Sequence, residues 1–151
     1  MAETVRRSSE SGDEVYLTVW KTEQDIINRR WLLTSFFITI SFVIFGFTIE
    51  QEINSSPSEK PHIIISIARL TSLAIYWFSI ALYFRFTRYI DFLRDYLKGM
   101  EDRGETSLTI ESKGKKVMRK GQSKFTVTRW LLVYFGIFYT GGVLALWALE
   151  I

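Results

Sequence analysis

Three stretches of this chain lack the charges that water-soluble helices need. Residues 31–49 contain no ionisable side chain, residues 63–84 contain one, Arg69, and residues 130–149 contain none. Nineteen residues of helix rise about 28 Å, close to the thickness of a bilayer's hydrocarbon core. The stretches are continuously apolar rather than alternating in ten-residue strands, so a β-barrel is excluded. The expectation is an all-α membrane protein with three transmembrane helices at 31–49, 62–84 and 130–149, the first two joined by a loop over 50–61. Bulk composition conceals this: 23% of residues are charged, and the apolar blocks are visible only because the charges are segregated between them. In the first span Thr34, Ser35, Thr39, Ser41 and Thr48 are the polar side chains, and their hydroxyls can bond back to the helix's own carbonyls.

The cations predict the orientation. Residues 85–129 carry twelve Lys or Arg, whereas the 50–61 loop carries Lys60 alone beside Glu50, Glu52 and Glu59; Lys21, Arg29 and Arg30 precede the first span. Lys and Arg accumulate in cytoplasmic segments. This places the N-terminus and residues 85–129 in the cytoplasm, and the C-terminus outside it, in an inner or plasma membrane. The first 30 residues have no apolar core of the kind a cleaved leader carries, so the first span is expected to act as an uncleaved anchor.

The cytoplasmic segments divide by pattern. Residues 1–13, rich in Ser and Glu, are expected to be disordered. Residues 14–30 form a juxtamembrane segment with an apolar cluster from Val15 to Trp20, and Thr22 is a candidate N-cap for a helix running into the first span. Residues 85–102 have a helical apolar stripe, so the second helix is expected to continue into the cytoplasm as an amphipathic helix. Phe86, Ile90, Leu93 and Leu97 are the candidate docking stripe, for a second copy, a cytoplasmic protein partner, the membrane surface or the N-terminal segment, with packing inside the protein the first expectation. Residues 103–129 form a basic loop. Its 112–129 portion has seven cations and no acid, and Lys113, Lys115, Lys116, Arg119, Lys120 and Lys124 are candidate contacts to anionic membrane lipids. A short hairpin over 107–127 is an alternative there. Nucleic acid is not expected, because Phe125 is the lone aromatic among these cations.

Site chemistry is sparse. The chain has no cysteine and one histidine, His62, which excludes a thiolate nucleophile, a disulfide and a His-rich metal site within one chain, though a symmetric oligomer can bring several His62 side chains together. No phosphate-binding loop, dinucleotide glycine motif, HExxH or GxSxG is present, and no cofactor or enzymatic activity is expected. Arg69 is the exception. A charge inside a span is costly and is often functional, and the candidate partner is Glu50 or Glu150, at the same membrane face. Gly46, Gly136, Gly141 and Gly142, together with the Ala68–Ser72 step, permit close helix approach, and three spans make a thin bundle that homo-oligomers complete.

The run from Trp31 through Leu32, Leu33 and Thr34 to Ser35, followed by an apolar stretch ending in Phe45, Gly46, Phe47, Thr48 and Ile49, resembles the first span of YidH-like small three-pass membrane proteins. The resemblance covers about 25 residues together with the three-span layout. It implies an oligomeric membrane module, of a kind that also occurs in polyphosphate-handling complexes. That family carries an acidic–arginine pair before the tryptophan and an arginine within its Trp-Leu-Arg-Thr-Ser stretch. Asp25–Ile26 and Leu33 occupy those places here, so no binding residue carries over. Two functions follow: a non-enzymatic scaffold or accessory subunit that docks a cytoplasmic partner, or a channel, transporter subunit or membrane-perturbing effector with Arg69 near its pathway.

Overall fold

The computed structural model describes residues 2–54, 62–119 and 127–149, with side chains over 11–54, 63–114 and 128–148. It comprises four helices: α1 (Ala2–Asn54), α2 (His62–Asp102), α3 (Ile110–Arg119) and α4 (Val127–Leu149). No strand occurs among the described residues. Three of these helices, α1, α2 and α4, are long and apolar enough to cross a membrane, which fits a multi-pass membrane protein. The length of α1 follows from the absence of any proline before Pro57. The α2 helix stops where Gly104 adopts a left-handed φ of 69°. There the N–H of Glu105 donates to the carbonyl of Met100 at 3.1 Å and that of Gly104 to Glu101 at 3.2 Å. This Schellman pairing satisfies carbonyls that the helix end would otherwise strand.

Two compact units are formed, one from Met1–Arg30 with Phe84–Phe125 and the other from Trp31–Tyr83 with Thr126–Ile151. The second unit is inverted relative to a soluble protein. Its buried residues include Thr34, Ser41, Thr48, Arg69, Ser72 and Ser79, while Phe36, Val43, Ile64, Phe78, Phe138 and Leu144 are exposed. Such a surface suits lipid, where apolar side chains gain nothing by turning inward and polar ones lose heavily by turning outward. Aromatic rings fill the space between the hydroxyls. Tyr139 lies 5.2 Å from Phe42, 5.1 Å from Phe45 and 5.3 Å from Tyr76, centroid to centroid. Of the four span glycines only Gly136 sits in a close approach, with Tyr76 Cε1 2.9 Å from where a Cβ would stand; Gly46, Gly141 and Gly142 have nothing within 4 Å.

The first unit has an ordinary apolar core. Tyr16, Leu97 and Met100 are buried together, with Val19, Trp20 and Leu108 packed against them. Three sequence expectations are corrected here, and a fourth is narrowed to one of its alternatives. Residues 2–13, expected to be disordered, are the first turns of α1; counting Ser and Glu missed that Gly12 and Asp13 are anchored by tertiary contacts. Thr22 is no N-cap, because the helix is continuous through it and its hydroxyl donates to the Thr18 carbonyl at 2.9 Å. The hairpin alternative gives way to α3 over 110–119; Phe125 and Thr126 lie outside the described residues. Within the expected docking stripe, Ile90, Leu93 and Leu97 are buried and Phe86 is partly so, and Leu97 is covered by Tyr16 of α1. The stripe is thus part of the chain's own core and is not a free surface.

Candidate functional site

The buried charge of the second unit is held by α1 and α2 together. Arg69 is fully buried, and its Nη2 donates to the carboxylate of Glu52, whose side chain is 23% exposed. Glu52 stands beside the two expected partners, Glu50 and Glu150, as a carboxylate the sequence reading did not name for that role. Glu50 is exposed, because two residues along a helix turn the side chain by about 200°. Glu150, the other candidate, lies outside the described residues. The register was visible in α1: Thr34, Ser41 and Thr48, all buried, recur at seven-residue intervals, and Glu52 continues that face one turn beyond Thr48.

One turn of helix further along α2 lies a hydroxyl cluster drawn from all three apolar helices. Ser41 Oγ donates to the carbonyl of Ser72 at 2.8 Å, Tyr139 OH donates to Ser72 Oγ at 2.9 Å, and Ser72 Oγ donates to the carbonyl of Arg69 at 2.7 Å. Each hydroxyl proton is therefore committed. Two further ties join α2 to α4: Tyr76 OH donates to the Leu132 carbonyl at 2.9 Å, and Trp77 Nε1 to Thr140 Oγ1 at 3.1 Å. Gly136 makes the first possible by letting the Tyr76 ring lie on α4. Chemically, this arrangement fastens helices. These donors face carbonyls or one another, while Thr34 Oγ1, buried on the same face of α1, has no hydrogen-bond partner among the described residues.

In the first unit two carboxylates form a clasp around the turn between α2 and α3. Asp13 accepts from Thr106 Oγ1 at 2.6 Å, Ser107 N–H at 2.7 Å and Ser107 Oγ at 2.6 Å. Glu101 accepts from Tyr16 OH at 2.5 Å, from the N–H groups of Glu111 and Ser112 at 2.9 and 3.0 Å, and from the Ser112 hydroxyl. It thereby caps the start of α3, where free N–H groups favour an anion. The Ser107 hydroxyl holds the Asp13 carboxyl below its usual range, with Thr106 and the Ser107 backbone adding to the effect. For Glu101, burial pushes upward, but hydrogen bonds from Ser112, Tyr16 and the α3 backbone outweigh it and the net direction is down. Tyr16 is pushed up to about 12, first by burial and then by its donation to Glu101. A nearly buried Glu23 also meets Arg94 Nε at 2.7 Å, and Arg30 Nη1 donates to Thr87 Oγ1 at 3.2 Å.

Of the expected lipid contacts, Lys113 is exposed on α3. Lys115, Lys116 and Arg119 lie on the same helix with side chains beyond those described, and Lys120 and Lys124 fall outside the described residues. His62 opens α2, but its side chain is likewise undescribed. Among the described residues no cluster of His, Cys, Asp or Glu is arranged to hold a metal ion. No family model matches the chain, and neither curated proteins nor solved structures match it.

Proposed function

We propose that this chain is a non-enzymatic membrane module, an oligomeric scaffold or accessory subunit, whose unit of residues 1–30 and 84–125 stands in the cytoplasm and docks a partner protein. The observation that carries this reading is how the polar groups of the spanning unit are used: Arg69, Ser41, Ser72 and Tyr139 are committed to ties between helices. That economy supports a rigid anchor over the rival reading of a channel with Arg69 beside its pathway. The cation bias supports a cytoplasmic N-terminus and an extracytoplasmic C-terminus in an inner or plasma membrane. In this reading residues 85–102 are the amphipathic cytoplasmic continuation of the second span, with its apolar stripe spent on α1. The layout agrees with the resemblance to YidH-like three-pass modules.

The docking surface is then sought among apolar residues that the first unit leaves outside, chiefly Val15, Leu17 and Tyr96, which are 46%, 39% and 43% exposed, with Val15 and Leu17 on opposite flanks of α1. The test pairs two measurements on the full chain. A photoreactive side chain at position 96 or 17 is expected to cross-link one discrete protein in cells, with the product lost in Leu17→Asp. In planar bilayers the purified protein is expected to add no conductance. A conductance abolished by Arg69→Ala would replace this reading with the channel.

A further inference from the structure

The cations nearest the apolar stretches are of one kind. Arg29, Arg30, Arg85, Arg88 and Arg129 flank the three spans on the basic side, and no lysine is among them; Lys124, six residues before Trp130, and Lys21 and Lys98 stand further out. Arg and Lys carry the same charge, so orientation alone does not require this choice. They differ in geometry. The guanidinium presents a planar fork that grips a phosphate through two parallel hydrogen bonds, whereas an ammonium is a compact point charge.

On α2 these arginines share a face with exposed aromatic rings. Arg85 and Arg88 are exposed. Tyr89 and Phe92, 49% and 61% exposed, stack with their centroids 6.3 Å apart and their planes inclined by 24°. At about 100° per residue, positions 85, 88, 89 and 92 fall within one third of the helix circumference, opposite the buried Ile90 and Leu97. Counting rise from Phe84, the last residue of the apolar stretch, Arg85, Arg88 and Tyr89 lie about 1.5, 6 and 7.5 Å along the helix. The headgroup layer is about 5–8 Å deep on each side of the hydrocarbon core. Tyr96, about 18 Å along, lies beyond it.

We infer that Arg85 and Arg88, with Tyr89 beside them, form a binding site for the phosphate of an anionic phospholipid headgroup. The inference rests on the proposed membrane topology. It also divides the exposed apolar surface of α2: Tyr89 belongs to the lipid interface, where amphipathic rings are favoured, while Phe92, about 12 Å along, and Tyr96 lie beyond it. Charge complementarity fixes the occupant, since the face offers cations within the headgroup layer, and its nearest acids, Asp91 and Asp95, lie to one side of it.

The test is native mass spectrometry of the full chain in mild detergent with added phosphatidylglycerol or phosphatidylcholine. The wild type is expected to retain phosphatidylglycerol in preference to phosphatidylcholine. The double variant Arg85→Gln/Arg88→Gln should reduce retention at least fivefold, and Arg85→Lys/Arg88→Lys should restore it only in part. Lys21→Gln/Lys98→Gln should leave retention unchanged. Inorganic phosphate at equal concentration should not displace the lipid. Circular dichroism checks that each variant keeps its helix content, and the lysine variant stands in if the glutamine variant misfolds. Equal loss from the Lys21→Gln/Lys98→Gln pair, full rescue by lysine, or displacement by free phosphate would each overturn the assignment. A reversed topology with the same lipid selectivity would sink the functional reading and leave the site standing.

Discussion

Glu52→Gln is expected to destabilise the protein in detergent by about 3 kcal/mol, while Glu50→Gln leaves stability within about 0.5 kcal/mol. The two carboxylates are two residues apart and belong to the same loop-proximal turn of α1. Removing the charge from Glu52 takes a carboxylate away from a fully buried guanidinium, and breaking a buried pair from one side costs far more than the pair contributes. The figure is placed at the low end of the range for buried pairs because Glu52 retains some exposure to water. Reversible unfolding in mixed micelles, followed by tryptophan fluorescence, measures both variants. Arg69→Met is the complement. If the pair only fixes helix register, the double variant Glu52→Leu/Arg69→Met recovers most of the loss, as well-packed apolar replacements of buried pairs do.

The second large effect is expected at Gly12. A methyl group there would stand 1.8 Å from the carbonyl oxygen of Glu105 and 3.0 Å from its carbon. The obstacle is backbone, so a rotamer change cannot relieve it, and either α1 or the 103–109 turn must move. Gly12→Ala is expected to cost about 1–3 kcal/mol and to break the hydrogen bonds that Asp13 makes with Thr106 and Ser107. Hydrogen exchange reads this as lost protection at the Ser107 amide, spreading to Glu111 and Ser112 if the two carboxylates act as one clasp. Acid should produce the same state in the wild type. Asp13 and Glu101 have folded values depressed below their ordinary 3.8 and 4.5. Their contribution is therefore fully present above those ordinary values and is lost as pH falls through the depressed ones. Protection of the Ser107 and Glu111 amides that stays unchanged in Gly12→Ala, or that is lost already near neutral pH in the wild type, would refute this account of the clasp.

What could be read from the residues divides along physical lines. The spans are local properties of composition, and the helices fall where uncharged runs predict them. Their inward faces were also encoded, in the seven-residue recurrence of Thr34, Ser41 and Thr48, but taking the hydroxyls singly, each bonded to its own helix, hid the recurrence. Glu52 was passed over because proximity to a membrane face was considered without angle around the helix. The stripe at Ile90, Leu93 and Leu97 was correctly apolar, but apolarity alone does not say which of several covers it takes, and at Leu97 the cover is Tyr16 of α1. The clasp was hidden for a different reason. Asp13 meets Ser107 across 94 positions of sequence, and a lone Gly–Asp step in a polar segment carries no signal that distinguishes a tertiary anchor from a disordered tail.

The most direct test exploits the absence of native cysteine. Single cysteines at Asn54 and Lys113 report on which compartment each end of α2 occupies. With a membrane-impermeant maleimide added to sealed, intact cells, Asn54→Cys should label and Lys113→Cys should remain unlabelled until the membrane is opened. Labelling of both positions from the same side, or a chain that fractionates as a soluble helical protein without detergent, would contradict a three-span module with its basic unit in the cytoplasm.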